Sequence, residues 1–213
     1  MLLSDKIGLV TGGGMGIGRA ICLAYAREGA KVVVADFNPE SGAETVQLIR
    51  ESGGDALFVQ ADVSDEAQVK AMVETAVAHY GRLDIACNSA AVSRGSGPIH
   101  LFEKNVFDDT LNMCLSNTWL CQKYELSAML EQGAGSIVNI SSNASLRGQV
   151  YNTAYAAAKA GVNILTQSSA AEYGSKSIRI NAVSPGVVRT PGVEKYFAEQ
   201  PKIAEGLKRA AVM

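Results

Sequence analysis

Short apolar runs alternate along this chain with stretches of helical periodicity, and this alternation restricts the possible folds more than any other feature. Ile7–Thr11, Lys31–Asp36, Ala56–Asp62, Asp84–Asn88, Ser136–Ser141 and Arg179–Ser184 each read as a strand. Helices are predicted between them over Ile17–Arg27, Pro39–Ser52, Val106–Leu130 and Thr153–Tyr173. A further helix, with Ser64 as its cap, carries apolar residues at Val69, Met72, Val73, Ala76 and Val77, the spacing of one helical face. Strands that are apolar throughout have to be covered on both faces, which requires a parallel sheet between two layers of helices. The predicted fold is α/β, a single doubly wound domain over residues 1–213 with no linker or low-complexity stretch.

Composition is consistent with this and narrows the function. The 213 residues are 47% hydrophobic, enough for one sizeable core. A net charge of −2 offers no basic face to nucleic acid and no polybasic patch to a membrane surface. No apolar run approaches the ~18 residues that a membrane helix needs. At the start, Asp5 and Lys6 interrupt a short apolar run, so it reads as the approach to a strand rather than a signal peptide. Cys22, Cys87, Cys114 and Cys121 have no CxxC spacing, and His79 and His100 are the only histidines. We expect no metal site, and buried reduced thiols in a cytoplasmic protein.

After the first strand comes Thr11-Gly12-Gly13-Gly14-Met15-Gly16-Ile17-Gly18, at the point where a strand turns into a helix. Glycines there allow a backbone to approach a pyrophosphate, and a helix N-terminus presents free N–H groups to it. The spacing is Gly12-x-x-x-Gly16-x-Gly18 rather than GxGxxG, so a merely tight turn is the competing reading. The next strand ends in Asp36, followed by Phe37. A carboxylate there can accept hydrogen bonds from the ribose hydroxyls of NAD and would repel the 2′-phosphate of NADP. A helix-capping role is the alternative for Asp36. At Asp62-Val63 the third strand ends in a carboxylate that could reach an adenine amino group, or could simply be solvated.

Tyr155 and Lys159 are four residues apart, on one face of a predicted helix. A phenol titrates near pKa ~10, and a neighbouring ammonium favours its phenolate, which is one way to make a tyrosine an acid/base near neutrality. Ser142, at the end of a strand, could hydrogen-bond a carbonyl oxygen on which charge develops. Ser141, Ser145 and Tyr151 are competing candidates nearby, and a Tyr–Lys pair on a helix is often only a surface pair.

Taken together these residues resemble the classical short-chain dehydrogenase/reductase family, from about Lys6 to Thr190. The TGxxxGxG turn is matched by Thr11, Gly12, Gly16 and Gly18, and YxxxK by Tyr155 and Lys159. The serine thirteen residues before the tyrosine falls on Ser142, and the helical asparagine on Asn117. The pattern after the sixth strand is matched by Asn181, Pro185, Gly186 and Thr190. The resemblance implies a Rossmann-type domain and an NAD(H)-dependent oxidoreductase acting on a secondary alcohol or ketone. Tyr155 would exchange the proton, Lys159 would hold ribose hydroxyls and depress the tyrosine pKa, Ser142 would orient the substrate, and Asn117 would hold a water; the alternative for Asn117 is only to satisfy backbone groups in its helix. Gly12, Gly16, Ile17, Gly18, Asp36, Phe37, Asp62, Val63 and Asn88 would line the adenosine half of NAD. Pro185, Gly186, Val188 and Thr190 would line its nicotinamide half. Substrate would meet residues 93–100, 146–151 and a lid within 190–213 bearing Val193, Tyr196, Phe197, Ile203 and Leu207. A homodimer or homotetramer is implied through the two long helices.

The sequence departs from the family pattern in two places. Asn88-Ser89-Ala90-Ala91 stands where the family has Asn-Asn-Ala-Gly, so Ala91 is expected to be strained if that position needs positive φ. The chain stops at Met213, before the further helix, seventh strand and glycine-rich tail of the family, and is expected to be part of a longer chain whose absent strand would leave an exposed edge. Two alternatives to an active enzyme are a non-catalytic dinucleotide-binding regulator and an inactive truncated form.

Overall fold

The computed structural model describes residues 1–199. Its strands are β1 (Ile7–Thr11), β2 (Lys31–Asp36), β3 (Ala56–Gln60), β4 (Ile85–Asn88), β5 (Gly135–Ile140) and β6 (Ile178–Val183). They form one parallel sheet in the order β3-β2-β1-β4-β5-β6. Successive strands run outward from β1 to β3, then the chain crosses to β4 and runs outward the other way. The crevice at the carboxyl ends of β1 and β4 is therefore a topological switch point, where doubly wound sheets bind ligands.

Helices α1 (Gly16–Arg27), α2 (Pro39–Glu51), α3 (Glu66–Tyr80), α4 (Lys104–Leu111), α5 (Asn117–Gln132), α6 (Thr153–Tyr173) and α7 (Pro191–Glu199) complete the described chain. Side chains alternate across each strand. Leu9, Val33, Ala86 and Ile137 pack on one face with Met72 and Val73 of α3 and Met129 of α5. Val10, Val32, Val34 and Cys87 pack on the other with Cys22 of α1 and Val46 and Ile49 of α2. Each such aliphatic side chain contributes about 1.5–3 kcal/mol of burial, which is why the strands read as unbroken apolar runs. All four cysteines are buried free thiols.

Several predicted boundaries shift for local reasons. The third strand stops at Gln60, because Asp62 turns to accept hydrogen bonds from the N–H and hydroxyl of Ser64. The cap of α3 is Asp65, not Ser64: its Oδ1 accepts from the N–H groups of Ala67 and Gln68 at 2.8 and 3.3 Å. The single helix expected over Val106–Leu130 is two helices joined by a π segment, Asn112–Ser116. Ala91 does not take positive φ, so the expected strain is absent. Ile203 and Leu207 of the expected lid lie outside the described residues.

Between the sheet and the helices α5 and α6 lies a buried polar network. The Asn88 side-chain N–H groups donate to Glu125 Oε2 and Asn139 Oδ1, both at 3.0 Å. Asn139 donates in turn to Gln122 Oε1 and Thr166 Oγ1, and Gln122 to Ser169 Oγ. Glu125 is 0% exposed and its Oε1 has no partner among the described residues. The titratable groups that feel it are the thiols of Cys87 and Cys121 and the phenol of Tyr25, none of which can compensate a negative charge. Burial therefore pushes the Glu125 carboxyl up to about 7. An acid whose folded pKa is raised binds more protons in the folded state than in the unfolded one, so stability falls as pH rises through the interval up to that value. At about 1.4 kcal/mol per pH unit, Glu125→Gln should gain on the wild type by roughly 2.5 kcal/mol between pH 5 and pH 8. Urea unfolding at both pH values measures this, and a constant difference would show that Glu125 does not titrate in that range.

Candidate active site

The glycine turn is shaped by contacts that exclude side chains. Gly12 and Gly16 have φ of +65° and +56°, the left-handed region that glycine tolerates. A Cβ on Gly18 would fall on the Gly12 carbonyl oxygen, well inside contact distance. No side chain caps the N-terminus of α1, so its first N–H groups face the turn without an internal side-chain acceptor. The Asp36 carboxylate closes the other side. Its Oδ2 accepts from Gly14 N–H at 2.8 Å and its Oδ1 from Asn38 N–H at 2.9 Å. Each oxygen keeps a further lone pair for another donor. The neighbouring cation, Arg19, is committed to Glu44 at 2.6 Å and to the Gly14 carbonyl and Thr45 hydroxyl. Phe37 beside Asp36 is 69% exposed, whereas Val63 is buried in the core.

Thr11, at the end of β1, ties the two halves of the crevice together. Its buried hydroxyl accepts from the N–H groups of Ser89 and Ala90 at 3.1 and 3.3 Å. The Asn88 side chain, by contrast, is 3% exposed and points into the buried network, so only its backbone can face the crevice. Asp62 uses Oδ1 in the turn with Ser64.

Across the crevice, the end of β5 and the helix α6 bring Ser142, Tyr155 and Lys159 together. Ser142 Oγ accepts from Ala144 N–H at 3.2 Å and lies near enough to the Tyr155 phenol to favour its phenolate. Lys159 is 2% exposed, lies 5.9 Å from the Tyr155 ring centroid, and donates to the Ile140 carbonyl at 2.8 Å. Burial is the largest influence on both groups, raising the Tyr155 pKa and lowering that of Lys159, while the Ser142 hydroxyl draws the phenol back down. The expected lowering of the tyrosine pKa by the ammonium is thus not the dominant effect in this arrangement.

The two serines that competed with Ser142 have other partners. Ser141 Oγ donates to the Lys159 carbonyl at 3.0 Å, and Ser145 Oγ to the Ser142 carbonyl at 2.5 Å. Asn117 has a structural task too. In the π segment its N–H bonds back to the Asn112 carbonyl, which leaves the Met113 carbonyl without its usual helical donor. Asn117 Nδ2 supplies that bond at 2.9 Å and another to the Ala90 carbonyl at 2.8 Å. The helix is thereby pinned to the loop after β4, a link that no residue spacing signalled.

Over these groups lie two loops. Gly97 N–H donates to the Tyr151 carbonyl at 2.9 Å, joining residues 93–98 to residues 146–151. Tyr151 itself has φ +62°. Ile99, Leu146 and Val150 give the rim exposed apolar surface. On the nicotinamide side of the expected site, the Pro185 carbonyl accepts from Asn143 N–H, Gly186 approaches Asn143, and Val188 is exposed. Thr190 Oγ1 accepts from Val193 N–H at the start of α7, and its side chain packs on Gly16 and so links the two ends of the crevice.

The family model described as short chain dehydrogenase matches residues 6–201. The chain is a short-chain dehydrogenase. Members of this family are generally oxidoreductases that bind a nicotinamide dinucleotide, NAD or NADP. Levodione reductase of Leifsonia aquatica is 41% identical over 198 residues, 92% of this chain and 74% of the relative. A 2,5-dichloro-2,5-cyclohexadiene-1,4-diol dehydrogenase of Sphingobium indicum is 41% identical over 194 residues, 91% of this chain and 76% of the relative. A crystal structure of levodione reductase superposes with a TM-score of 0.91 at 38% identity, covering 96% of this chain and 81% of that one.

In this dehydrogenase the Gly18 contact is with backbone, which cannot move aside as a flexible side chain could. Gly18→Ala should cost about 3 kcal/mol or more by forcing the turn apart. Equilibrium urea unfolding checks this, and an unchanged midpoint would mean that the turn yields freely.

Proposed function

We propose that this short-chain dehydrogenase transfers hydride between NAD(H) and a secondary alcohol or ketone borne on a small ring. The observation that carries the reading is the meeting of Ser142, Tyr155 and Lys159 beside a switch-point crevice whose far wall ends in Asp36. The ring-borne substrate is supported by the cyclohexadiene-diol in the name of one relative and by the apolar rim of Ile99, Leu146 and Val150.

The glycine turn and the N-terminus of α1, from Gly12 through Gly16, Ile17 and Gly18, would hold the pyrophosphate. Asp36 would accept the adenosine ribose hydroxyls, with Phe37, Asp62, Val63 and the Asn88 backbone around the adenine. Pro185, Gly186, Val188 and Thr190 would hold the nicotinamide end, and Lys159 its ribose. The bound dinucleotide supplies or accepts the hydride. The chain's own residues handle the proton. Ser142 donates a hydrogen bond to the substrate oxygen, where charge develops, and orients it toward Tyr155. In reduction Tyr155 gives that oxygen a proton; in oxidation its phenolate removes one. Asn117 keeps α5 pinned to the loop after β4, and the Lys159 ammonium favours the phenolate once both are engaged.

NAD is favoured over NADP because the Asp36 carboxylate would repel a 2′-phosphate and the neighbouring Arg19 is paired with Glu44. The chain is read as a cytoplasmic homodimer or homotetramer formed through α5 and α6. Trp119, half exposed on α5, marks that face.

Tyr155→Phe should lower turnover at least 1,000-fold, the upper part of the range for acid/base groups, while the NADH dissociation constant stays within about twofold. Fluorescence titration and steady-state kinetics read the two separately, and wild-type turnover would refute the role of Tyr155. Asp36→Ala should narrow the difference between NADH and NADPH binding by tenfold or so, the worth of about one charge contact. If the preference does not move, Asp36 is not the ribose ligand.

A further inference from the structure

Tyr155, Lys159 and a third polar residue, Asn163, recur every four residues on the same face of α6. Asn163 Nδ2 donates to Ser145 Oγ at 2.7 Å, and Ser145 Oγ donates to the Ser142 carbonyl at 2.5 Å. A hydroxyl has one hydrogen. With that hydrogen on the Ser142 carbonyl, the Ser145 oxygen has to accept, which fixes the amide of Asn163 with its nitrogen inward. Asn163 Oδ1 is buried with no partner among the described residues. The residue thus makes one directed donation at the expense of an unpaired acceptor, which an apolar side chain at this position would avoid.

The same turn is joined to α6 at two other points, Ser141 Oγ to the Lys159 carbonyl and Lys159 Nζ to the Ile140 carbonyl. Both act before Ser142. After it, the link back to the helix runs through Ser145 and Asn163. Without that link, the hydrogen bonds among the described residues tie the turn to α6 before Ser142 only, and Ala144 rests on apolar packing, which has no preferred direction.

We propose that Asn163 is a positioning residue for the Ser142 hydroxyl: through Ser145 it holds the serine-bearing turn in register with the helix that carries Tyr155 and Lys159. This rests on the roles given above to Ser142 and Tyr155. It assigns Ser145 and Asn163 to a clamp that touches neither substrate nor dinucleotide. Since the Ser142 hydroxyl draws the Tyr155 phenol downward, loosening the clamp has a definite consequence. The phenolate needed for alcohol oxidation then forms at higher pH.

Two variants test it, Asn163→Ala and Ser145→Ala, each removing one member of the same chain of bonds. Hydrogen exchange is followed by mass spectrometry on the full chain without added dinucleotide. Peptides containing Ala144, Ser145 and Leu146 should exchange roughly fivefold faster or more in both variants, while β1 keeps its wild-type protection. In turnover assays the rising limb of the oxidation pH profile should move alkaline by about half a pH unit or more, with NADH binding unchanged. The double variant should be no worse than either single one, because both break one linkage. Unchanged exchange in this turn in both variants would overturn the proposal. So would faster exchange spread evenly over β1 and the rest of the chain, which would make Asn163 a general packing residue. If the wild type bound no NADH and oxidised no alcohol, the functional reading would fall, and the exchange data would still decide whether the clamp exists.

Discussion

The site depends on one constraint, the burial of a parallel sheet on both of its faces. Because Leu9, Val33 and Ile137 must be covered on one side and Val10, Val32 and Val34 on the other, every connection is a crossover helix. Crossovers return the chain to the same edge before each new strand, so all the loops that follow strands gather at one end. Reversal of strand order between β1 and β4 opens those loops into a crevice. The glycine turn, Asp36, Ser142 and the loop after β4 all reach the crevice by this route.

Within that frame, polar groups set the distances. Thr11 bridges the ends of β1 and β4 with a single hydroxyl. Asn117 repairs a π segment and in doing so pins α5 to the Ala90 carbonyl. Lys159 reaches the end of β5, and Ser141 reaches back to α6. These are bonds between elements far apart in the chain, in a buried region where an unpaired polar group is costly. Such bonds hold catalytic groups more firmly than apolar packing alone, which has no preferred direction.

Some expectations changed because one side chain cannot serve two partners. Asn88 was placed beside a ribose by its position in the chain, yet its amide closes a network with Glu125 and Asn139. Both long-range partners, 37 and 51 residues away, are invisible to local spacing. Ser64 is engaged by Asp62, and the next residue, Asp65, caps α3 in its place. The π segment leaves no sequence signal, because one extra residue in a turn barely disturbs the apolar periodicity over Val106–Leu130. Burial is the largest influence on the Tyr155 pKa, and burial cannot be read from a four-residue spacing.

The sequence by itself determined the α/β class, the strand and helix order, the glycine turn and the family, since these rest on local periodicity and on short motifs read along the chain. It also singled out Ser142, Tyr155 and Lys159. Only the tertiary structure decided which polar atoms remain available in the crevice and which are committed beneath it, which serine faces the tyrosine, and that Glu125 is buried without a cation. The physical reason is that hydrogen-bond satisfaction and desolvation depend on everything packed around a group, whereas propensity and motif depend only on its neighbours in the chain.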